Sequence, residues 1–209
     1  IATDARDRVW CGGAGGLYCL DGQTFSRCET AGLQSGLGAL HLGADGILWA
    51  GGLGGSLAVL RDERWVQPAA PKALAGGAIH GLMDDTLGYL WMSTSRGIYR
   101  AQKHALLRTD ATEAGPPFWD LFDAEDGLPS RECSGGFQPS IAGTGADRLF
   151  FPTVKGVAAV RPSQVATNPI PPCVVVEELR VNGRDAGFPI ASGRSPEKAP
   201  PWRIGPGVQ

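Results

Sequence analysis

Side chains that carry chemistry are few in this sequence, and their spacing assembles no catalytic group. The histidines are scattered, and His41 and His80 lie in strand-like stretches, which favours hydrogen-bonded structural histidines over metal ligands. Glu177 and Glu178 are adjacent, so a strand points them to opposite faces, where they cannot share acid–base work. The sequence therefore predicts no catalytic residue, no metal site and no cofactor.

Two glycine-rich stretches, GGAGG at 12–16 and GGLGGS at 51–56, have the composition of phosphate-binding loops. Neither is followed by the Lys-Ser/Thr pair or by the helix that such a loop needs. We interpret both stretches as hairpin turns.

Ligand binding remains open, because several polar residues fall in predicted loops. Arg96 and Lys155 occupy equivalent hairpin positions of a repeat described below and suit an anionic or polyhydroxyl ligand, with ordinary solvated charge as the alternative. Trp119 suits stacking on a sugar ring, with a packed aromatic as the alternative. The predicted ligand-binding residues are Arg96, Lys155, Trp119, Arg131, Glu132 and Gln138, the last three before or at the start of a predicted inner strand.

The composition favours short strands and tight turns. The 209 residues include 31 Gly and 16 Pro beside 43% hydrophobic residues, which is typical of neither long helices nor disorder. A net charge of −2 gives no electrostatic footprint for nucleic acid or an anionic membrane, so neither is predicted as a direct partner. No apolar run approaches the ~20 residues of a membrane span.

The chain has five cysteines, an odd number, and no two of them form a CxxC pair. This pattern favours buried free thiols, with a disulfide or a zinc site as the alternatives. The cysteine pattern does not distinguish a reducing from an oxidising compartment.

A repeat runs through the sequence, with an aromatic residue at its centre. An aliphatic residue comes directly before each aromatic, a turn former lies three residues before it, and a glycine lies six residues after it. The aromatics are Trp10, Trp49, Trp91 and Phe150, the turn formers Asp7, Gly46, Gly88 and Asp147, and the glycines Gly16, Gly55, Gly97 and Gly156.

Each repeated feature predicts a piece of a β-sheet. The turn former tolerates positive φ, the aliphatic–aromatic pair fills both faces of a strand, and the glycine helps to close a hairpin. The aromatics recur after 39, 42 and 59 residues, which matches the ~40–45-residue blade of a β-propeller. GALHL and AIHGLM predict one further strand each, and the insertion in the longest interval predicts an outer strand with a crossover loop.

The residues resemble the two-component regulator propeller repeat of bacterial membrane sensors. DDTLGYLWMSTSRGIYR at 84–100 follows its pattern closely, whereas Gly13 and Gly52 replace its threonine and Phe150 replaces its tryptophan. The segments 125–140, 148–165 and 168–183 resemble the last blade of such sensors and its exit into a Y_Y_Y-type Ig-like domain, with Asn182-Gly183 closing a hairpin.

The fold expected from the repeat and the resemblance is all-β. About four β-propeller blades, part of a larger ring, occupy residues 1–166, and a linker with the first strands of an Ig-like β-sandwich occupies 167–209. The resemblance implies seven blades per ring, so the chain is expected to be a fragment that self-associates or packs against the remainder of a parent receptor.

The resemblance implies a ligand-binding, non-catalytic sensor module in the periplasm, anchored to the membrane only through its parent protein. The implied ligand is a small molecule, with carbohydrate among the candidates, and the implied output is a histidine kinase or a diguanylate cyclase. Two alternatives stay open. One is a propeller enzyme, such as a lyase or a quinone-dependent dehydrogenase, and the other is a scaffold for protein partners.

Replacing Trp49 by Ala is expected to lower the free energy of unfolding by roughly 3–5 kcal/mol, because it leaves a cavity between two blades. Arg96→Ala, in a hairpin loop, is the comparison and should cost under about 0.5 kcal/mol if that side chain is merely solvated. Urea denaturation of both variants measures the difference. Equal tolerance at the two positions would refute the blade register.

Overall fold

Short antiparallel strands joined by tight turns dominate the structure. The computed structural model describes residues 1–30, 33, 36–68, 74, 76–108, 117–145 and 147–165, and the backbone of 180–181 and 184–185. The chain divides into two compact units, Ile1–Val165 and Ala166–Gln209.

The first unit consists of four antiparallel sheets, and in each sheet the strands pair in chain order. The first blade comprises β1 Ala2–Thr3, β2 Val9–Gly13, β3 Gly16–Asp21 and β4 Thr24–Cys28. The second comprises β5 Leu37–Leu42, β6 Leu48–Gly52, β7 Leu57–Arg61 and β8 Arg64–Val66. The third comprises β9 Ile79–Asp84, β10 Tyr89–Thr94, β11 Gly97–Gln102 and β12 Asp120–Phe122, and the fourth β13 Ala142–Thr144, β14 Arg148–Thr153 and β15 Gly156–Val160.

Among the described residues, helical structure is confined to single turns. The α-helix α1, Lys103–Leu106, follows β11, and 3-10 turns lie at Ala124–Asp126 and Pro162–Gln164. The predicted extra strands at GALHL and AIHGLM are β5 and β9, and the predicted outer strand of the insertion is β12. These three predictions are confirmed.

The turn between the first and second strands of each blade uses the predicted conformation. The residue three before the aromatic has positive φ in all four repeats, at 59° for Asp7, 77° for Gly46, 86° for Gly88 and 53° for Asp147. In the third blade Gly88 N–H donates to Asp85 O and Asp85 N–H to Tyr89 O, which closes a tight reversal. The strand carrying the aromatic therefore starts one or two residues before it in every blade.

The hairpin after the aromatic differs between blades. In the third blade Thr94 pairs with Gly97 across a two-residue loop, and the Thr94 hydroxyl donates to Gly97 O at 2.7 Å. Thr153 and Gly156 repeat this contact at 2.8 Å in the fourth blade. The second blade departs from the ungapped alignment: Gly52 N–H donates to Ser56 O, so Gly55, at φ 83°, is inside a three-residue loop.

The recurring aromatics hold neighbouring blades together. Trp10 packs in a cluster with side chains of the second blade, Trp49 with the third and Trp91 with the fourth, and all three are buried. The aliphatic neighbours Leu48, Leu90 and Leu149 face the preceding blade, because strand residues alternate between faces. The all-β fold of stacked propeller blades is thus confirmed.

Phe150 is the exception among the four aromatics. It lies in β14 at the equivalent register, opposite Ala159, but it is only half-buried. Its face of the fourth sheet meets no further sheet within the unit Ile1–Val165. Phe151, on the other face, is fully buried and lies 5.9 Å from the ring of Trp91. In the last blade the anchoring aromatic is therefore the neighbour of the one that the repeat predicts.

Two tryptophans also bond to the turn before them. The indole N–H of Trp10 donates to Asp4 at 2.8 Å, and that of Trp91 donates to Asp85 at 2.7 Å. Gly43 holds the equivalent position before Trp49, whose indole N–H is buried without a partner among the described residues. The buried tryptophan is therefore hydrogen-bonded to the preceding turn in the first and third blades but not in the second.

A polar network joins the second and third blades at the edge that carries these turns. Asp84 accepts from His41 at 2.7 Å and from Lys103 at 2.7 Å, and Lys103 also donates to Asp45 at 2.7 Å. Burial raises the pKa of Asp84, but the hydrogen bonds from His41 and Lys103 outweigh it and hold that pKa well below its usual range. His41 is thus a hydrogen-bonded structural histidine, as predicted.

The cysteines within the described residues are free thiols: Cys11, Cys19, Cys28 and Cys133. Burial raises the pKa of Cys133 to about 11, so that thiol is unreactive. Cys173 lies outside the described residues.

In the second unit the strands β16 Arg180–Val181 and β17 Arg184–Asp185 pair antiparallel, with Val181 opposite Arg184. The predicted turn residues 182–183 and the rest of the Ig-like domain fall outside the described residues. Within the described part of the chain, no helix is long and apolar enough to cross a membrane.

Asp84→Asn is expected to lower the free energy of unfolding by about 1.5–3 kcal/mol near neutral pH, because it removes charged hydrogen bonds to two partners. A carboxyl group with a depressed pKa stabilises the fold above the unfolded pKa of about 3.9, and this contribution is lost as pH falls below that value. Urea unfolding at several pH values should therefore show the wild-type advantage shrinking in acid. The exposed Asp21→Asn is the control, and an equal loss in both variants would contradict the network's role.

Candidate functional site

The loops joining the second and third strands of the blades lie along one edge, called here the hairpin edge. They comprise residues 14–15, 53–56, 95–96 and 154–155. Gly76 N–H donates to Gly54 O at 3.0 Å and Cys133 N–H donates to Thr94 O at 3.0 Å, so a hairpin loop is bonded to the segment entering the next blade. The hairpin edge is thus continuous across the second, third and fourth blades.

The segment 131–134 lies between the hairpins of the third and fourth blades. Besides the bond from Cys133 to Thr94, Val154 N–H donates to Glu132 O at 3.1 Å. The cations Arg96 and Lys155, on equivalent loops, therefore flank Arg131 and Glu132, and all four side chains are exposed. The structure brings together four of the six residues predicted for ligand binding.

Arg96 and Arg131 act on the same buried hydroxyl group. Burial raises the pKa of Tyr99, and the positive charges of Arg96 and Arg131 oppose that rise. The stem of Arg96 lies against the chain at Gly77, where a Cβ would come within 3.1 Å of Arg96 Cδ. The position of Arg96 thus depends on a glycine in the segment that enters its own blade.

His80 belongs to the same region, although its strand-like stretch predicted a hydrogen-bonded structural histidine. It lies at the start of inner strand β9, half-buried, with its ring against Gly135, where a Cβ would come within 2.1 Å of Nδ1. Burial lowers the pKa of His80, and the nearby charge of Glu132 opposes this. Its ring makes no hydrogen bond to the described residues. Both nitrogen atoms of the neutral imidazole are therefore available for a hydrogen bond to a ligand.

Gln138 lies at the inner side of the same region. It is exposed and lines a cavity of about 360 Å³ bounded by residues 39–41 of β5, 81–83 of β9 and 138–141 before β13. The segment from 134 to 139 leaves the inner strand between the bridge of Cys133 with Thr153 and the pairing of Ala142 with Phe150. This excursion carries Gln138 to the mouth of the cavity.

Trp119 is not part of this region. It is partly buried and packs against the core cluster between the second and third blades, as Ile47 and Leu107 also do. Its indole N–H is buried without a partner in the described part of the chain. This placement matches the alternative of a packed aromatic in the insertion.

The region can bind through both charge and neutral hydrogen bonds. Arg96, Arg131 and Lys155 supply cationic donors, Glu132 supplies an acceptor, and neutral His80 can donate or accept. Such a mixture suits a ligand with many hydroxyl groups, with or without an acidic group. No group of three or more His, Cys, Asp or Glu side chains among the described residues is placed to hold a metal ion.

Solved structures share this architecture, although no protein-family model and no characterised protein match the chain by sequence. Two structures of the extracellular domain of BT4673 from B. thetaiotaomicron superpose with TM-scores of 0.60 and 0.59, at 16% and 21% identity. BT4673 is described as a hybrid two-component system with the first structure and as a one-component system with the second. The chain shares their fold. The matches cover 78% and 86% of this chain but only 23% and 22% of the sensor chains.

A third similar structure is virginiamycin B lyase from Staphylococcus aureus, with a TM-score of 0.54 at 14% identity. The match covers 78% of this chain and 51% of the lyase. Sensor domains and an enzyme thus share this blade architecture, so the fold does not choose between them.

The imidazole of His80 is expected to titrate below the ordinary pKa of about 6.5, because the blades bury it. Glu132→Gln should move the midpoint further down, since the carboxylate favours the charged ring. The chemical shift of the His80 ring protons against pH measures both. Glu125→Gln, which removes an exposed carboxylate in the 3-10 turn, is the control, and a midpoint that Glu132→Gln leaves unmoved or raises would contradict this geometry.

Proposed function

We propose that this chain is a ligand-binding module of a bacterial extracytoplasmic receptor, and that it binds a small polyhydroxyl molecule, an oligosaccharide, at the hairpin edge of the third and fourth blades. The observation that carries the proposal is the convergence of Arg96, Arg131 and Lys155 on one edge. The likeness in fold to the extracellular domain of BT4673 supports the receptor role.

Hydroxyl groups would be recognised mainly by side chains on loops. Arg131 and Glu132 lie on a segment that is hydrogen-bonded to two hairpins, so their backbone is held in place before a ligand arrives. Neutral His80 can pair with a hydroxyl group without the cost of desolvating a charge. Binding sites on loops that a rigid scaffold positions are common in proteins, and the stacked blades supply that scaffold here.

Signalling would require the ligand to bind one arrangement of the receptor more tightly than another, since equal affinity shifts no equilibrium. The hairpin edge suits this requirement, because the site draws residues from two blades and from the segment between them. In this proposal the chain itself is not catalytic. The parent protein supplies the membrane anchor and the output, a histidine kinase or a diguanylate cyclase, and the module packs against the rest of that receptor or a second copy.

Thermal unfolding in the presence of neutral and uronic-acid tetrasaccharides tests this function. A bound sugar at a hundred times its dissociation constant should stabilise the chain by about 2.7 kcal/mol. Arg131→Ala and Lys155→Ala should each weaken the binding roughly tenfold, because each removes a charged hydrogen bond.

Arg161→Ala is the matched control, since this exposed arginine follows β15 at the opposite edge of the same sheet. It should leave the affinity unchanged. Equal weakening in all three variants would argue for a general charge effect, and no stabilisation by any sugar of the panel would reject the proposed ligand class.

A lyase is the second candidate function, and the likeness in fold to virginiamycin B lyase is the observation that favours it. His80 is the described side chain best suited to accept a proton, since it is neutral and next to Glu132. Incubation with virginiamycin B, followed by chromatography, would reveal turnover. Turnover that His80→Gln abolishes would support the lyase over the binding module, and an unchanged substrate would reject a lyase of this specificity.

A further inference from the structure

A second positively charged surface lies between the second and third blades, away from the hairpin edge. It is a groove of about 700 Å³, and its walls are the β7–β8 hairpin on one side and the end of α1 with the residues after it on the other. Three arginines line the groove: Arg61, Arg64 and Arg108. In a chain of net charge −2, this concentration of positive charge is local.

The register of the hairpin points two of these arginines into the groove. Arg61 lies directly opposite Arg64, and Val59 opposite Val66, so all four side chains share one sheet face. Like charges directly opposite each other destabilise a strand pair. An anion between the two guanidinium groups would relieve this repulsion.

The turn that holds the two arginines together is itself strained. Asp62 and Glu63 connect Arg61 to Arg64, and both have positive φ, at 46° and 60°. Residues with side chains adopt this conformation at a cost, and it is often retained where function needs it. The equivalent turn of the first blade has a glycine, Gly22, at its first position.

Among the described residues, acidic neighbours neutralise little of this charge. Glu63 turns towards the first blade, where it forms ion pairs with Arg6 at 2.9 Å and with Arg8 at 2.5 Å. Asp62 is the other described carboxylate on the groove. Arg64 is exposed and meets no acceptor in the described part of the chain.

Arg61 is fixed across the groove, because its guanidinium group donates to Leu107 O at 2.6 Å. Arg108, which has a contact of its own within the protein, follows directly after that residue. Between the arginines, the floor is apolar and consists of Val59, Val66, Pro68 and Leu106. The groove thus offers planar, bidentate donors around a surface that suits a ring or hydrocarbon body.

We propose that this groove binds an organic polyanion: a ligand with two or more carboxylate or sulfate groups on an apolar ring-sized body. Its acidic groups would pair with Arg61, Arg64 and Arg108, and its body would cover Val66 and Leu106. The volume of about 700 Å³ lies within the range of small-molecule sites. The site is separate from the hairpin edge, so this proposal does not depend on the proposed function.

Benzene-1,3,5-tricarboxylate is a suitable probe, since it places three carboxylates around an apolar ring. Calorimetric titration of the full chain at low ionic strength should show saturable binding, whereas the uncharged benzene-1,3,5-tricarboxamide should not bind. Arg64→Gln should weaken the tricarboxylate at least roughly tenfold.

Arg27→Gln is the matched control, because Arg27 is also an exposed arginine on the fourth strand of a blade and its loss changes the net charge equally. It should leave the affinity unchanged. Equal weakening in both variants, equal binding of the tricarboxamide, or no saturable binding of the tricarboxylate would each overturn the proposal.

Discussion

Face-to-face packing of neighbouring sheets through one recurring aromatic residue is the constraint on which the rest of this structure depends. Trp10, Trp49 and Trp91 each fill the space between their own blade and the next, and large aromatic side chains contribute much of the apolar area that a core buries. Each hydrophobic cluster is formed by the facing sides of two neighbouring sheets, so no blade has a core of its own. The turns, hairpins and edges are arranged around these shared walls.

The two edges of the blades use polar residues in different ways. At the edge with the first turns, Asp84 accepts hydrogen bonds from His41 and from Lys103. These polar side chains therefore hold the second and third blades together. At the hairpin edge, backbone hydrogen bonds carry the same task, through Thr94 and Glu132. The side chains of Arg131, Glu132 and Lys155 are exposed there, which is why we propose the hairpin edge as the binding surface.

The second and fourth blades depart from the regular repeat. The second blade lacks the aspartate that pairs with tryptophan in its neighbours, has a longer hairpin loop, and holds the strained turn between Arg61 and Arg64. The inner strand of the fourth blade is interrupted by the excursion that carries Gln138. Both departures lie beside a groove or cavity.

The sequence by itself determined the features that depend on local geometry. Positive φ at Asp7 and Gly88, the alternation that buries Trp91, and the strands of GALHL and AIHGLM follow from spacing within about fifteen residues, because turns and strand faces are local properties. Only the tertiary structure decided which residues meet across blades. His41 pairs with Asp84 at a separation of 43 residues, Trp119 packs against the core, and Phe151 replaces Phe150 as the anchor. These outcomes depend on which sheet lies against which face, and spacing along one strand does not encode that.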